Sequence, residues 1–180
     1  FFPALIEFGA GTTLTKYIAQ GNTSVISWFL KLRFWSYALV GTVLFLLRDQ
    51  IAVIFLKDAS LNPLIIPGLI VFFFTFFEIF KPIVQGYQNF KLLGISQFLT
   101  SFFQGTTILA LGYYFGVYYA LIGWGFSYLL GNLLNMRYIF RKKLDKKNTD
   151  IGKIFCNYSI PVYLMIIPGF IGAAIIPILS

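Results

Sequence analysis

The sequence contains no histidine and a single cysteine, Cys156. A structural zinc site needs several Cys or His ligands, and a disulfide within the chain needs a second Cys. Histidine is also the side chain that enzymes use most often as a general base. We therefore expect no catalytic residue, no metal and no cofactor in this chain.

Charged residues are scarce as well, at 11% of the chain against 58% hydrophobic residues. An ordinary soluble domain has about 25% charged residues, so a water-soluble surface is excluded and a membrane protein is indicated. The 14 Lys and Arg outnumber the 6 Asp and Glu. Because the basic residues lie between hydrophobic segments, we expect anionic membrane lipids, and no nucleic acid, as partners.

Apolar segments of the length that a membrane-spanning helix needs, about 20 residues, recur along the whole chain. We predict an all-α fold, a polytopic membrane helical bundle with about six transmembrane helices. The predicted spans are residues 1–20, 27–47, 64–85, 92–112, 117–138 and 156–178.

Two places in this pattern predict breaks. Residues 92–136 contain no charged residue, and as one helix they would be about 68 Å long, so the chain must fold back. We place the corner of this hairpin at residues 112–116, which begin and end with Gly. The polar residues 48–50 interrupt the second span, and residues 51–56 continue either at the interface or as one straight helix.

The basic residues predict the orientation of the chain. If residues 1–20 run from outside to inside, one side of the membrane receives twelve of the 14 Lys and Arg, and the other only Arg48 and Lys57. The positive-inside rule makes the first side cytoplasmic. We expect a multi-pass protein of the cell (inner or plasma) membrane with residues 141–155 in the cytoplasm. This orientation requires an earlier span, so we expect the chain to be a fragment.

Small residues at helical spacing predict the contact faces between helices, because close approach of backbones drives packing in lipid. Three such stripes are present in the first, fourth and fifth predicted spans. They are Gly11, Thr15 and Ala19; Ser101 and Gly105; and Gly123, Ser127, Gly131 and Asn135.

Three stretches resemble the polysaccharide-transporter family, within the multidrug/oligosaccharidyl-lipid/polysaccharide exporter superfamily. Residues 7–22, EFGAGTTLTKYIAQGN, resemble the second helix of that family. Residues 80–97, FKPIVQGYQNFKLLGISQ, resemble its connection between helices four and five. The basic residues 141–153, followed by a helix that starts Tyr158-Ser159-Ile160-Pro161, are similar to its link between two lobes.

The resemblance implies that the chain comprises helices two to seven of a two-lobe transporter with twelve to fourteen helices. Residues 1–140 would then be most of the N-terminal lobe, 141–155 the cytoplasmic link, and 156–180 the start of the second lobe. The implied function is flipping of a lipid-linked oligosaccharide by alternating access, with a polyprenyl-diphosphate-linked glycan as the cargo.

Ionisable groups inside a membrane are costly and are therefore candidates for function. Glu7 is a candidate for ion coupling, although near the outer interface it could simply face water. Glu78 and Lys81 share a helix face, where they could pair structurally or line the substrate path. Lys16, Arg33 and Lys81 are predicted at the cytoplasmic ends of spans, where a cationic vestibule would bind a diphosphate. The positive-inside rule alone would also place basic residues there.

Two other functions remain open at this stage. A multidrug cation exporter of the same superfamily would need acidic groups for its cargo, and the basic inner face favours an anionic one. A membrane enzyme of polyprenyl-sugar metabolism would need acidic or His residues in surface loops. Asp49, Asp58, Asp145 and Asp150 do not cluster in the sequence as a base or metal site.

Overall fold

The computed structural model describes residues 9–51, 64–142 and 151–165. They form mainly helices and, within these ranges, no β-strand. In chain order the helices are α1 Ala10–Ala19, α2 Val25–Leu46, α3 Arg48–Ile51, α4 Ile65–Phe74, α5 Phe80–Gly86, α6 Phe90–Phe115, α7 Val117–Phe140 and α8 Ile151–Ile154. A 3₁₀ segment, Thr75–Ile79, joins α4 to α5, and a π-helical segment, Phe155–Ser159, follows α8. Residues 160–165 are again helical.

Three helices in the described part of the chain are long and apolar enough to cross a membrane. They are Val25–Leu46, Ile65–Gly86 and Val117–Phe140, the second of which combines α4, the 3₁₀ segment and α5. We call this combined helix the third span. The 26 residues of α6 make it about 39 Å long, and it packs antiparallel against α7. The prediction of an all-α membrane helical bundle is confirmed.

The second predicted span ends where its polar residues begin. Helix α2 stops at Leu46, and the short helix α3 starts at Arg48. Arg48 Nε and Asp49 Oδ1 lie 3.6 Å apart as a largely exposed ion pair. The helix is thus interrupted at Leu47, and because residues 52–56 lie outside the described residues, both alternatives for residues 51–56 stay predictions.

The hairpin between α6 and α7 turns at a single residue. Helix α6 continues through Phe115, and α7 begins at Val117. Gly116 between them has φ 85° and ψ −178°, a conformation that a side chain disfavours. The predicted corner at 112–116 is correct, but the turn occupies only its last residue.

Helices α6 and α7 pack through the predicted stripe on α7. A Cβ on Gly131 would lie 2.6 Å from the Cα of Thr100, so the two backbones are in direct contact. Further from the turn at Gly116, Asn135 donates its two Nδ2 hydrogens, one to Ser96 Oγ at 2.9 Å and one to Asn132 Oδ1 at 3.0 Å. Close approach and buried polar pairing together join the hairpin, as expected for helices in lipid.

The predicted stripe on α6 is wrong. Ser101 is exposed, and nothing in the described ranges lies within 4 Å of a Cβ on Gly105. The contact face instead includes Thr100 and Thr107, whose hydroxyls donate to the carbonyls four residues earlier at 2.8 and 2.6 Å. A threonine bonded in this way presents a small surface to the neighbouring helix, so it packs like a small residue.

The third span is the element on which other helices pack. Pro82 lies 3.9 Å from a Cβ built on Gly11 of α1, and its carbonyl accepts from Thr15 Oγ1 at 3.1 Å. On α7, a Cβ on Gly125 would lie 3.2 Å from Val71 Cα. Helix α2 also approaches closely, because Gly41 meets an aromatic ring of α4. Each contact places a glycine against the third span.

Substitution of Gly131 by Ala should destabilise the bundle, whereas the same change at Gly105 should not. The Cβ at position 131 would overlap Thr100, and overpacking of this kind costs about 1–3 kcal/mol. At position 105 there is space, and Ala is the better helix former by about 1 kcal/mol. Thermal unfolding of the two variants in detergent measures the difference. Equal midpoints for both variants would contradict the packing of α6 on α7.

The turns after α1 and α5 have the same hydrogen-bond pattern, but different residue types occupy the position with a positive φ. After α1, Gly21 N–H donates to Ile18 and Asn22 N–H to Tyr17, and Gly21 has φ 83°. After α5, Gln88 N–H donates to Gln85 and Asn89 N–H to Val84. Gln88 has φ 57°, so a non-glycine residue occupies the left-handed position of a Schellman motif.

Exchange of the two residue types should therefore have opposite effects. Gly21→Gln places a side chain in the left-handed conformation and should cost about 1 kcal/mol. Gln88→Gly removes the same strain and, after the entropy of glycine is subtracted, should stabilise by about 0.5–1 kcal/mol. Unfolding midpoints in detergent test both. A loss of stability in Gln88→Gly would show that its side chain contributes more than its backbone strain costs.

Candidate functional site

Arg33 is buried in α2, with only 3% of its surface exposed. Its Nη2 donates to the carbonyl of Thr75 at 3.1 Å and to the Tyr37 hydroxyl at 3.2 Å. The Tyr37 hydroxyl in turn lies 3.1 Å from Thr75 Oγ1. The guanidinium thus links α2 to the 3₁₀ segment of the third span. Both bonds come from Nη2, at the far end of a side chain that is one bond longer than that of Lys.

The partner of Arg33 lies in the middle of the third span. Thr75 is the first residue of the 3₁₀ segment Thr75–Ile79, ten residues after the span begins at Ile65. A carbonyl oxygen has two lone pairs, so Thr75 can accept from Arg33 as well as within the helix. Arg33 is also about 12 Å along α2 from Val25. Arg33 thus lies in the third turn of α2 and bonds near the middle of the third span, and its place at the cytoplasmic end of a span stays a prediction.

Glu78 and Lys81 form an ion pair between Oε1 and Nζ, one turn apart on the third span. Their side chains remain partly accessible, at 34% for Glu78 and 18% for Lys81. The pairing that their spacing predicted is therefore present. Because neither side chain is fully covered, a polar surface remains on the third span, and a role in the substrate path stays a prediction.

Lys16 lies in the last turn of α1 and is exposed. Its Nζ is 3.7 Å from the centre of the Tyr158 ring, which packs edge-on against Tyr17. One turn earlier, Thr13 Oγ1 and Ser159 Oγ lie 2.9 Å apart in a buried hydrogen bond. Lys16 therefore lies where α1 meets the π-helical segment that follows the basic residues 141–153.

The structure connects these candidates through the third span. Arg33 binds at Thr75, the Glu78–Lys81 pair follows within two turns, and Pro82 next to Lys81 contacts α1. Lys16 is on α1 but turns toward Tyr158 rather than toward the third span. Glu7 lies outside the described residues, and its predicted role in ion coupling is untested.

Several polar residues in these contacts were not predicted as site residues. They are Tyr37 and Thr75 around Arg33, and Thr13, Tyr158 and Ser159 around Lys16. Tyr37 could have been found, since it lies four residues after Arg33 and shares its helix face. The contacts of Tyr158 and Ser159 join distant parts of the chain, and no local spacing indicates them.

Outside the spans, Tyr87 follows the end of the third span. Burial raises the pKa of its hydroxyl above the usual value of 10.0, and nearby Tyr138 raises it further. Within residues 9–51, 64–142 and 151–165, no group of three or more His, Cys, Asp or Glu could hold a metal ion.

These features define a class, an all-α membrane protein with ionic and polar groups buried inside its spans. The family profile described as "Polysaccharide biosynthesis protein" matches residues 1–179. The chain belongs to this polysaccharide biosynthesis family, which confirms the resemblance found in its motifs. No curated protein and no solved structure matches the chain.

Replacement of Arg33 by Lys should destabilise the protein although the charge is kept. The Lys side chain is one bond shorter, so its ammonium cannot reach both Thr75 and Tyr37 from the same backbone position, and a buried group left without its hydrogen bond costs about 1–3 kcal/mol. Lys31→Arg, at an exposed position of the same helix, is the matched control and should leave stability unchanged. Thermal unfolding in detergent compares the two. An Arg33→Lys variant as stable as the control would show that the guanidinium is dispensable.

Proposed function

We propose that the protein containing this chain is a transporter that flips a lipid-linked oligosaccharide across the cell membrane. Membership in the polysaccharide biosynthesis family supports a role in making or exporting polysaccharide. The membrane-spanning helices support an activity within the bilayer. The proposed cargo is a polyprenyl-diphosphate-linked glycan, and the proposed mechanism is alternating access between two lobes.

The observation that carries this proposal is the partly accessible Glu78–Lys81 pair within the third span. A charged pair inside a membrane is expensive unless it serves a polar path or is fully enclosed. This pair is not enclosed, because about a third of the Glu78 side chain is exposed. A polar cargo head group moving along the lobe would pass such a surface, and an ammonium there can bind a phosphate oxygen.

The charge balance near the path favours an anionic cargo over a cation. In the described part of the chain, Glu78 is the only carboxylate inside a long span, and Lys81 already neutralises it. Arg33 adds a buried positive charge on the neighbouring helix. A multidrug cation exporter would need a carboxylate available to its cargo, so this alternative is the weaker one.

The proposed topology places residues 141–155 and the exposed Lys16 on the cytoplasmic side. The lipid diphosphate would then meet basic residues in the leaflet from which it is taken. A membrane enzyme of polyprenyl-sugar metabolism is the remaining alternative, and it would act on the lipid without moving it. The two functions predict different defects when the gene is missing. A missing transporter stops surface glycan but not synthesis of the lipid-linked precursor, whereas a missing enzyme stops that synthesis.

The test is complementation in cells that lack their lipid-linked oligosaccharide flippase. The full-length gene should restore surface glycan, and Lys81→Gln should reduce it about tenfold, the effect of ~1.4 kcal/mol on the transport barrier. Lys31→Gln removes the same charge at an exposed site and should restore glycan like the unmodified gene. Membrane levels of each variant and the amount of lipid-linked precursor are measured in parallel.

A charge exchange separates a structural pair from a cargo contact. The double variant Glu78→Lys, Lys81→Glu keeps the ion pair but moves the positive charge by one turn. A double variant that is as stable as the unmodified protein but no longer transports would support a cargo contact at Lys81. If the inserted full-length protein restores no glycan while lipid-linked precursor accumulates, the flippase proposal is wrong. If precursor itself is absent without the gene, an enzyme is indicated.

A further inference from the structure

Helix α6 presents three different surfaces around its axis, because successive residues of a helix are rotated by about 100°. The line that packs on α7 contains Ser96, Thr100 and Thr107. A second line on the opposite side, which we call the apolar line, contains the exposed residues Phe98, Phe102 and Leu109. Between these two runs a third line, the polar line, which contains Gln97, Ser101 and Gln104.

The polar line lies in the middle of the membrane-spanning region. Thr100 of α6 contacts Gly131 of α7, and the Thr107 hydroxyl donates to the carbonyl of Gly123 at 3.0 Å. These two glycines lie on either side of the midpoint of α7, which is one of the long apolar helices. The three residues of the polar line are therefore within about one turn of mid-span.

The side chains of the polar line have no hydrogen-bond partner among the residues that the structure describes. Gln97 and Ser101 are exposed, and Gln104 is half-buried. The apolar line suits contact with lipid tails, but an amide without a partner in hydrocarbon is strongly unfavourable. A polar environment must therefore cover the polar line in the membrane.

The chemistry of the polar line fits uncharged sugars. Its three residues carry no charge, and an amide or a hydroxyl can both donate and accept a hydrogen bond, as sugar hydroxyls require. From Gln97 to Gln104 the line extends about 10 Å along the helix axis, which is comparable with the length of a disaccharide. Nothing described lies within 4 Å of a Cβ on the adjacent Gly94 or Gly105, so space is open beside the line.

We propose that the polar line of α6 faces the transport path and hydrogen-bonds the uncharged sugars of the cargo. The inference rests on the proposed function and adds a glycan-binding surface to it, since Lys81 is the group proposed to meet the phosphate. Membership in a polysaccharide biosynthesis family supports sugar as the ligand. The competing occupant is a further helix that buries the polar line.

The first measurement is the accessibility of the polar line to water. Single cysteines are introduced into the full-length protein, in membrane vesicles, after its own cysteines, including Cys156, are replaced by Ser. A water-soluble maleimide should modify Gln97→Cys, Ser101→Cys and Gln104→Cys at least about tenfold faster than Phe98→Cys and Phe102→Cys. The reason is that it reacts with the thiolate, which forms in water and not among lipid tails. Because three positions are measured separately, a variant that fails to insert leaves two others to decide.

The second measurement identifies the ligand. The probe is the polyprenyl-diphosphate-linked oligosaccharide isolated from flippase-deficient cells, compared with a polyprenyl phosphate that carries no sugar. The oligosaccharide should slow modification of the polar line roughly threefold at twice its dissociation constant, and the sugar-free lipid should have no effect. In the complementation assay, Gln97→Leu combined with Gln104→Leu should lower surface glycan about tenfold. The control, Thr106→Val, removes an exposed hydroxyl outside the polar line and should restore glycan fully.

The outcomes separate this inference from the proposed function. If the unmodified gene restores surface glycan but the polar-line cysteines do not react, the inference alone is wrong, and this face of α6 contacts another helix. Equal reaction of the polar and apolar lines, or equal protection by the sugar-free lipid, would also overturn it. If the unmodified gene restores no glycan, the proposed function and this inference both fail.

Discussion

The close packing of three helices against the third span is the contact on which the described structure depends. Lipid offers no hydrophobic gain when two apolar helices associate, so contact must come from close packing and internal hydrogen bonds. Gly11, Gly41 and Gly125 provide the space on α1, α2 and α7. The 3₁₀ segment in the middle of the span provides a carbonyl for Arg33. The third span therefore fixes the positions of α1, α2 and α7 through these contacts.

The charged groups of the bundle are accommodated in three different ways. Arg33 is enclosed and bonded to a carbonyl and a phenol, which suits a structural link. Glu78 and Lys81 neutralise each other but stay partly accessible, which suits a polar path. Lys16 lies against an aromatic ring where α1 meets the residues after α8. Charged side chains therefore have different physical roles at different places in the bundle, and these places depend on contacts that the sequence does not show.

Packing faces were predictable only where glycine itself makes the contact. On α7 the stripe of Gly123, Ser127 and Gly131 is buried as predicted. On α6 the predicted face is exposed, and threonines that bond to their own helix replace it. A threonine has two states, one polar and outward and one paired with its own backbone, and the sequence does not show which is adopted. The partner of Arg33 could not be predicted for a related reason, since Thr75 lies 42 residues away.

The sequence by itself determined the class of protein, the recurrence of helical spans, an interruption at residues 48–50 and a corner within residues 112–116. These depend on hydrophobicity, charge and glycine, which act locally and need no knowledge of neighbours. The tertiary structure alone decided which face of α6 is buried, that Arg33 bonds at the centre of the third span, and that Lys16 meets Tyr158. It also joined Lys142 to Tyr87 across 55 residues. Such contacts depend on how helices approach one another, and that approach is set by the packing of many residues at once.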